Sequence, residues 1–184
     1  GNFSAKDMVL MGTYSFDFTD RLTGGVSGKL IYSNYERVYS LALGVDLGLN
    51  YYNAERKFSV SVVARNLGGQ VKSFDDTQEP LPFNVLVGVS KGFTYAPIRL
   101  SLTLTDLHKW QAEDFYNSSD DSWGDILLKH FIIGADVFPT SYTYIALGYN
   151  FLLRSELKNQ MKRSLEGLSV GAGLQVKNIK VGVS

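Results

Sequence analysis

Residues 39–51 read YSLALGVDLGLNY, and this stretch decides the fold. Its odd positions are Tyr39, Leu41, Leu43, Val45, Leu47, Leu49 and Tyr51, while its even positions are Ser40, Ala42, Gly44, Asp46, Gly48 and Asn50. Alternate side chains of a β-strand point to opposite faces, so the stretch predicts a strand with one apolar face and one small, polar face. It is long, because strands of globular proteins usually run about 5–6 residues.

The same two-residue period recurs on both sides. Residues 8–18 place Met8, Leu10, Tyr14, Phe16 and Phe18 on one parity, and residues 26–32 continue with Val26, Leu30 and Tyr32. Further strands are expected at 58–65, 83–90, 98–105, 131–137, 145–151 and 168–176, and a tenth begins at Ile179. No long helix is expected. Short connections follow the first, third, fifth, seventh and ninth strands (TDRLTG, NAERK, KGFTYAP, FPTS, KN). Long ones follow the fourth, sixth and eighth, at 66–81, 106–129 and 152–166, and SNYERV after the second is intermediate. Length tracks parity, so short turns share one rim and long loops the other, as in outer-membrane barrels.

Two readings explain the alternation. In one, the apolar face packs a soluble β-sandwich or small ligand-binding barrel. In the other, it meets lipid and the polar face lines a lumen. Three features favour the second. Thirteen residues at about 3.3 Å each, tilted by about 40°, span roughly 33 Å, enough for an apolar band of about 25 Å. The apolar parity has aromatic ends and an aliphatic middle: Tyr39 and Tyr51 bound the third strand, and Tyr149 and Phe151 close the eighth. The other parity carries glycine, serine and scattered charges. The expected fold is therefore an all-β, transmembrane, antiparallel up-and-down β-barrel. Leu41, Leu43, Val45, Leu47, Leu100 and Leu102 are expected to face lipid. Lys29, Asp46, Arg65, Arg99 and Asp136 are expected to face the lumen, with Asp46 near Lys29 of the preceding strand.

Composition narrows the function classes. Eighteen basic and eighteen acidic residues cancel over 184, so no global field draws in nucleic acid. With no cysteine there are no disulfides or thiolate metal sites. No apolar run of about 18 residues offers a transmembrane helix. GNFSAKDMVL lacks the pattern of a signal peptide, and the sequence stops at KVGVS within a strand. Residues 1–184 are thus expected to be part of one outer-membrane barrel domain, with a signal peptide upstream and further strands downstream.

Little here points to catalysis. His108 and His130 match no helical zinc motif, and both are expected to be ordinary rim histidines. The acidic loop EDFYNSSDDSWGD at 113–125 does not fit the spacing of an EF-hand and is expected to be solvated. NSS at 117–119 meets the short glycosylation pattern. Asp75 and Asp76 are expected to face solvent, and RNLGGQ at 65–70 is expected to be a turn leaving the membrane. No enzyme, cofactor or metal site is expected. Aromatics punctuate the long loops at Phe74, Trp110, Phe115, Tyr116 and Trp123, and the loop at 152–166 leans basic through Arg154, Lys158, Lys162 and Arg163. Phe74, Trp110, Phe115, Tyr116, Trp123, Arg154 and Lys158 are the candidate partner-binding residues. An equal claim on the aromatics is packing of the loops on each other.

Seven stretches in order, FSAKDMVLMGTYS, LIYSNY, ALGVDLGLNYYN, VVARNLGGQVKSFDD, LPFNVLVGVSKGF, YIALGYN and LSVGAGLQVKN, resemble the PorV/PorQ family of Bacteroidetes outer-membrane proteins associated with the type IX secretion system. The similarity covers nearly the whole chain and is weakest at 111–125. The family is related to the FadL fatty-acid transporters, so the resemblance implies a FadL-like barrel of about fourteen strands, ten of them visible here. It implies a non-enzymatic barrel in the outer membrane of a Gram-negative bacterium. Its partners would be outer-membrane lipid and lipopolysaccharide, other secretion components, and a PorZ-like surface protein of the complex that attaches cargo. The FadL relationship implies an alternative, a channel for a hydrophobic or small solute. The resemblance carries over no catalytic residues.

Overall fold

The computed structural model describes residues 5–35, 38–73, 78–111, 114–115, 122–157, 166–176 and 179–183. All ten expected strands form: β1 (Ala5–Thr19), β2 (Leu22–Tyr35), β3 (Val38–Asn53), β4 (Phe58–Lys72), β5 (Asn84–Gly92), β6 (Ile98–Leu104), β7 (Phe131–Thr140), β8 (Thr143–Asn150), β9 (Leu168–Val176) and β10 (Ile179–Val183). Two short helices join them, α1 (Trp123–Lys129) and α2 (Phe151–Leu157). The strands form one antiparallel sheet in the order β1 to β10, an up-and-down meander whose two ends are β1 and β10. By contacts the chain divides into two units, Gly1–Tyr51 with Ser61–Val85, and Tyr52–Val60 with Leu86–Ser184.

In the first unit, the opening stretch is the centre of β3 and its burial is inside-out. Leu43, Val45, Leu47 and Leu49 are exposed, whereas Ser40 and Ala42 on the opposite parity are buried. Register carries the apolar face across strands in rows: Leu10–Leu30–Leu43, then Gly12–Gly28–Val45, then Tyr14–Val26–Leu47. Aromatics close the set, with Tyr32 beside Tyr39 at one end and Phe16 packed edge-on to Phe18 near the other. The opposite parity holds a ladder of polar contacts. Thr13 and Ser27 share a 2.9 Å hydrogen bond, Thr23 donates to Asp17 at 2.6 Å, and Ser61 donates to Asn50 at 2.7 Å. Each is worth about 1 kcal/mol, and together they hold the hydroxyls of neighbouring strands in register.

β4 departs from the expected turn at residues 65–70: RNLGGQ lies within the strand. Its apolar parity is even at Phe58, Val60, Val62 and Ala64, then odd at Leu67 and Val71. The switch falls at Asn66, whose φ is +60°, and an extra residue in a strand reverses parity in this way. Beyond it, Gly68 has φ +150°, and a Cβ there would collide with the carbonyl oxygen of Leu43. Residues 79–81 run beside this glycine pair, with Gln70 donating to Glu79 O and Leu81 to Gly68 O, both at 3.0 Å.

In the second unit the same apolar rows recur, as in Leu102–Ile133–Tyr149–Leu168 and Leu100–Ala135–Leu147–Val170. Leu100, Leu102, Ile133, Leu147 and Val170 are exposed. Glycines on the other parity accept bulky neighbours, and Tyr144 lies over Gly173 and Gly182.

The short turns are built by local side-chain capping. Thr19 Oγ1 accepts the backbone N–H of Arg21 and of Leu22, and Thr140 Oγ1 does the same for Tyr142 and Thr143. Asn53 Oδ1 accepts from Arg56 N at 2.9 Å. Such turns offer the backbone a local partner where the ladder ends. The connection after β2 is shorter than expected, with only residues 36–37 between the strands. The long connections hold the helices, and Phe151 starts α2 instead of closing β8. Even so, its ring stays edge-on to Tyr149, with centroids 4.9 Å apart.

Candidate functional site

On the polar parity, charge is paired. Lys29 and Asp46 lie on adjacent strands, two positions out of direct register, because Lys29 is opposite Gly44 and Ser27 is opposite Asp46. Even so, Lys29 Nζ reaches Asp46 Oδ2 at 2.6 Å, while the space left by the missing Gly44 side chain is taken by Leu81. Asn66 completes the group. Its Oδ1 accepts from Lys29 Nζ at 2.9 Å, its N–H donates to Asp46 Oδ1 at 2.8 Å, and its Nδ2 donates to Pro82 O at 2.9 Å. The left-handed conformation of Asn66 makes all three contacts available from one residue. Asparagine tolerates that conformation better than most side chains. Arg65 is exposed on the same parity of β4. Arg99 and Asp136 are direct cross-strand partners, with Nη2 and Nε at 2.7 and 2.8 Å from one carboxylate oxygen.

Of the long connections, the one between β6 and β7 is organised around His130. The segment SWGD opens α1 with a capping box: Asp125 N donates to Ser122 Oγ at 3.4 Å, and Ser122 N donates back to Asp125 Oδ2 at 3.2 Å. After the seven residues of α1, His130 caps the helix end and is fully buried. It is not the ordinary rim histidine expected from sequence. Trp110 stacks on its ring at 4.5 Å and 18°, and Phe115 meets it edge-on at 5.5 Å and 82°. Trp110 Nε1 donates to Leu107 O at 2.7 Å. α1 touches α2, and α2 touches β7, so helices from two long connections meet on this side. Asn150 Oδ1 caps the start of α2 by accepting from Leu153 N at 3.2 Å.

The structure separates the candidate partner residues by exposure. Trp123 is 71% exposed, Trp110 is 48% exposed, and Phe115 is 7% exposed, with its surface committed to His130. Arg154 is exposed on α2. Phe74, Tyr116 and Lys158 lie outside the described residues, as do Asp75, Asp76 and the NSS site. Of the residues expected to face lipid, Leu43, Val45, Leu47, Leu100 and Leu102 are exposed and Leu41 is half-buried. Among the described residues, no group of three or more His, Asp or Glu gathers to hold a metal. Sequence reading missed Asn66 and His130. For Asn66 the signal was a broken parity before GlyGly; the Ser-x-x-Asp cap marks α1 but not the burial of His130 at its end.

These features define an all-β chain of ten sequentially paired antiparallel strands, with paired charges on one face and exposed aliphatic rows on the other. No protein-family model matches the sequence, and no curated protein matches it.

Proposed function

We propose that this chain forms the wall of an outer-membrane β-barrel of the PorV/PorQ type, a non-enzymatic anchor of the type IX secretion system. Its long loops hold a PorZ-like surface component of the cargo-attachment complex. The observation that carries the membrane part is the inside-out burial of β3: exposed Leu43, Val45, Leu47 and Leu49 oppose buried Ser40 and Ala42. In water such rows form an apolar patch of the kind that drives association. In lipid they are the expected exterior, with paired Lys29–Asp46 and Arg99–Asp136 facing a hydrated lumen. The anchoring part rests on the sequence resemblance and on Trp123, a large exposed aromatic at the start of α1.

The membrane part is tested by detergent dependence. The full-length protein partitions into the membrane fraction and stays monodisperse only in detergent; monodisperse behaviour in plain buffer overturns it. For the anchor, Trp123→Ala, alone and with Trp110→Ala, reduces co-purification of the surface component about tenfold while the strands stay folded. Undiminished capture by the double variant sinks the anchoring role. The alternative, a FadL-like solute channel, draws on the hydroxyl and ion-pair ladder of the polar face, which suits a wet passage. Rapid solute flux in a liposome-swelling assay would favour it over the anchor.

A further inference from the structure

His130 has both ring nitrogens set against backbone carbonyls: Nδ1 lies 2.8 Å from Ile126 O and Nε2 lies 2.7 Å from Lys109 O. Carbonyl oxygens only accept, and a neutral imidazole carries a single N–H, so only the doubly protonated ring satisfies both contacts. The ring is fully buried, so water does not take the place of a lost hydrogen bond. We propose that His130 is a proton-operated clasp, whose imidazolium ties the Lys109–Trp110 segment to the end of α1 and whose neutral form loosens it.

Full burial opposes charge on the ring, and its contacts act in the other direction. Trp110 presents its indole face to the ring, which favours positive charge over neutral. Ile126 O belongs to the carbonyl end of α1, the negative end of the helix dipole. The charged side chains of the packed elements have both signs. Asp106 is paired with Lys109 at 3.5 Å, Asp125 is held in the cap of α1, and Asp114 accepts from Gln111 N at 3.0 Å. Lys129 opposes a second positive charge, but its Nζ is directed over the Phe115 ring at 5.3 Å. The clasped arrangement holds a proton that the loosened one gives up. Falling pH therefore favours clasping and rising pH favours release. The clasp rests on loop geometry alone and stands whether or not the strands face lipid.

The chain has two tryptophans and two histidines, which makes the test direct. Trp123→Phe leaves Trp110 as the single emitter, stacked on the ring that titrates. Its emission falls by roughly half between about pH 8 and about pH 5 as the imidazolium quenches it. His108→Gln leaves that titration intact, and His130→Gln removes it. Emission that ignores pH, or a titration that survives His130→Gln, overturns the clasp. The unmodified protein supplies a second measurement should the variant fail to fold. With ¹⁵N-labelled histidine, one ring shows both nitrogens protonated and protected from exchange at about pH 6. A bare nitrogen on the exchange-protected ring at about pH 5 overturns the proposal.

Discussion

Leu43→Arg is expected to destabilise the folded protein by about 2–4 kcal/mol in a bilayer and to be almost neutral in water. Leu43 is half exposed in the row Leu10–Leu30–Leu43, two residues from Val45, the midpoint between Tyr39 and Tyr51. A guanidinium there sits close to the middle of the apolar band, where reaching the interface requires bending the whole side chain. In a water-facing sheet, the same position would take arginine as an ordinary surface residue, within about 0.5 kcal/mol. The size of the effect therefore reports what the row touches. Asp46→Asn, three residues on and facing the other way, is the control. The amide keeps an oxygen for Asn66 N–H, and Lys29 keeps Asn66 Oδ1, so the cost stays near 1 kcal/mol. Urea unfolding of the vesicle-reconstituted variants, followed by tryptophan emission, measures both. A larger loss for Asp46→Asn than for Leu43→Arg would mean that the faces are inverted.

Parity made the sheet legible in advance. Strand period, rows of Leu and Val, and the nearness of Lys29 to Asp46 all follow from counting alternate residues on neighbouring antiparallel strands. Arg99 and Asp136 likewise fall opposite each other once β6 and β7 are paired. Counting fails where one residue is inserted. At Asn66 the even set becomes odd, and β4 therefore looks as if it ends near Arg65 when it continues to Lys72. His130 was hidden for another reason. Its burial depends on Lys109, Trp110 and Phe115 meeting the end of α1, an encounter that no local pattern encodes. The short helices are intermediate: Ser122 and Asp125 spell a cap, but seven residues are too few for helical periodicity to stand out.

Gly68→Val is expected to cost about 3 kcal/mol or more, enough to deplete the folded protein from the membrane fraction. Two terms add. The backbone at Gly68 has φ +150°, which L side chains rarely adopt and β-branched ones least of all. A Cβ would also drive into the carbonyl oxygen of Leu43, with the Cα of Gly44 at 3.0 Å behind it. Backbone cannot swing aside as a side-chain tip can, so relief requires β4 to move away from β3. That movement would also strain the bonds from Gln70 and Leu81 to the neighbouring segment and pull on Asn66, two residues earlier. Gly48→Ala supplies the contrast, since a Cβ there meets only Val63 Cγ2 at 3.9 Å and Gly25 O at 4.0 Å, and it should cost little. Folded yield of the two variants after refolding into detergent, measured by resistance to protease, decides the matter. If Gly68→Val refolds as well as Gly48→Ala, residues 65–70 do not pair as strand, and they form the turn that their Asn-x-Gly-Gly composition suggests.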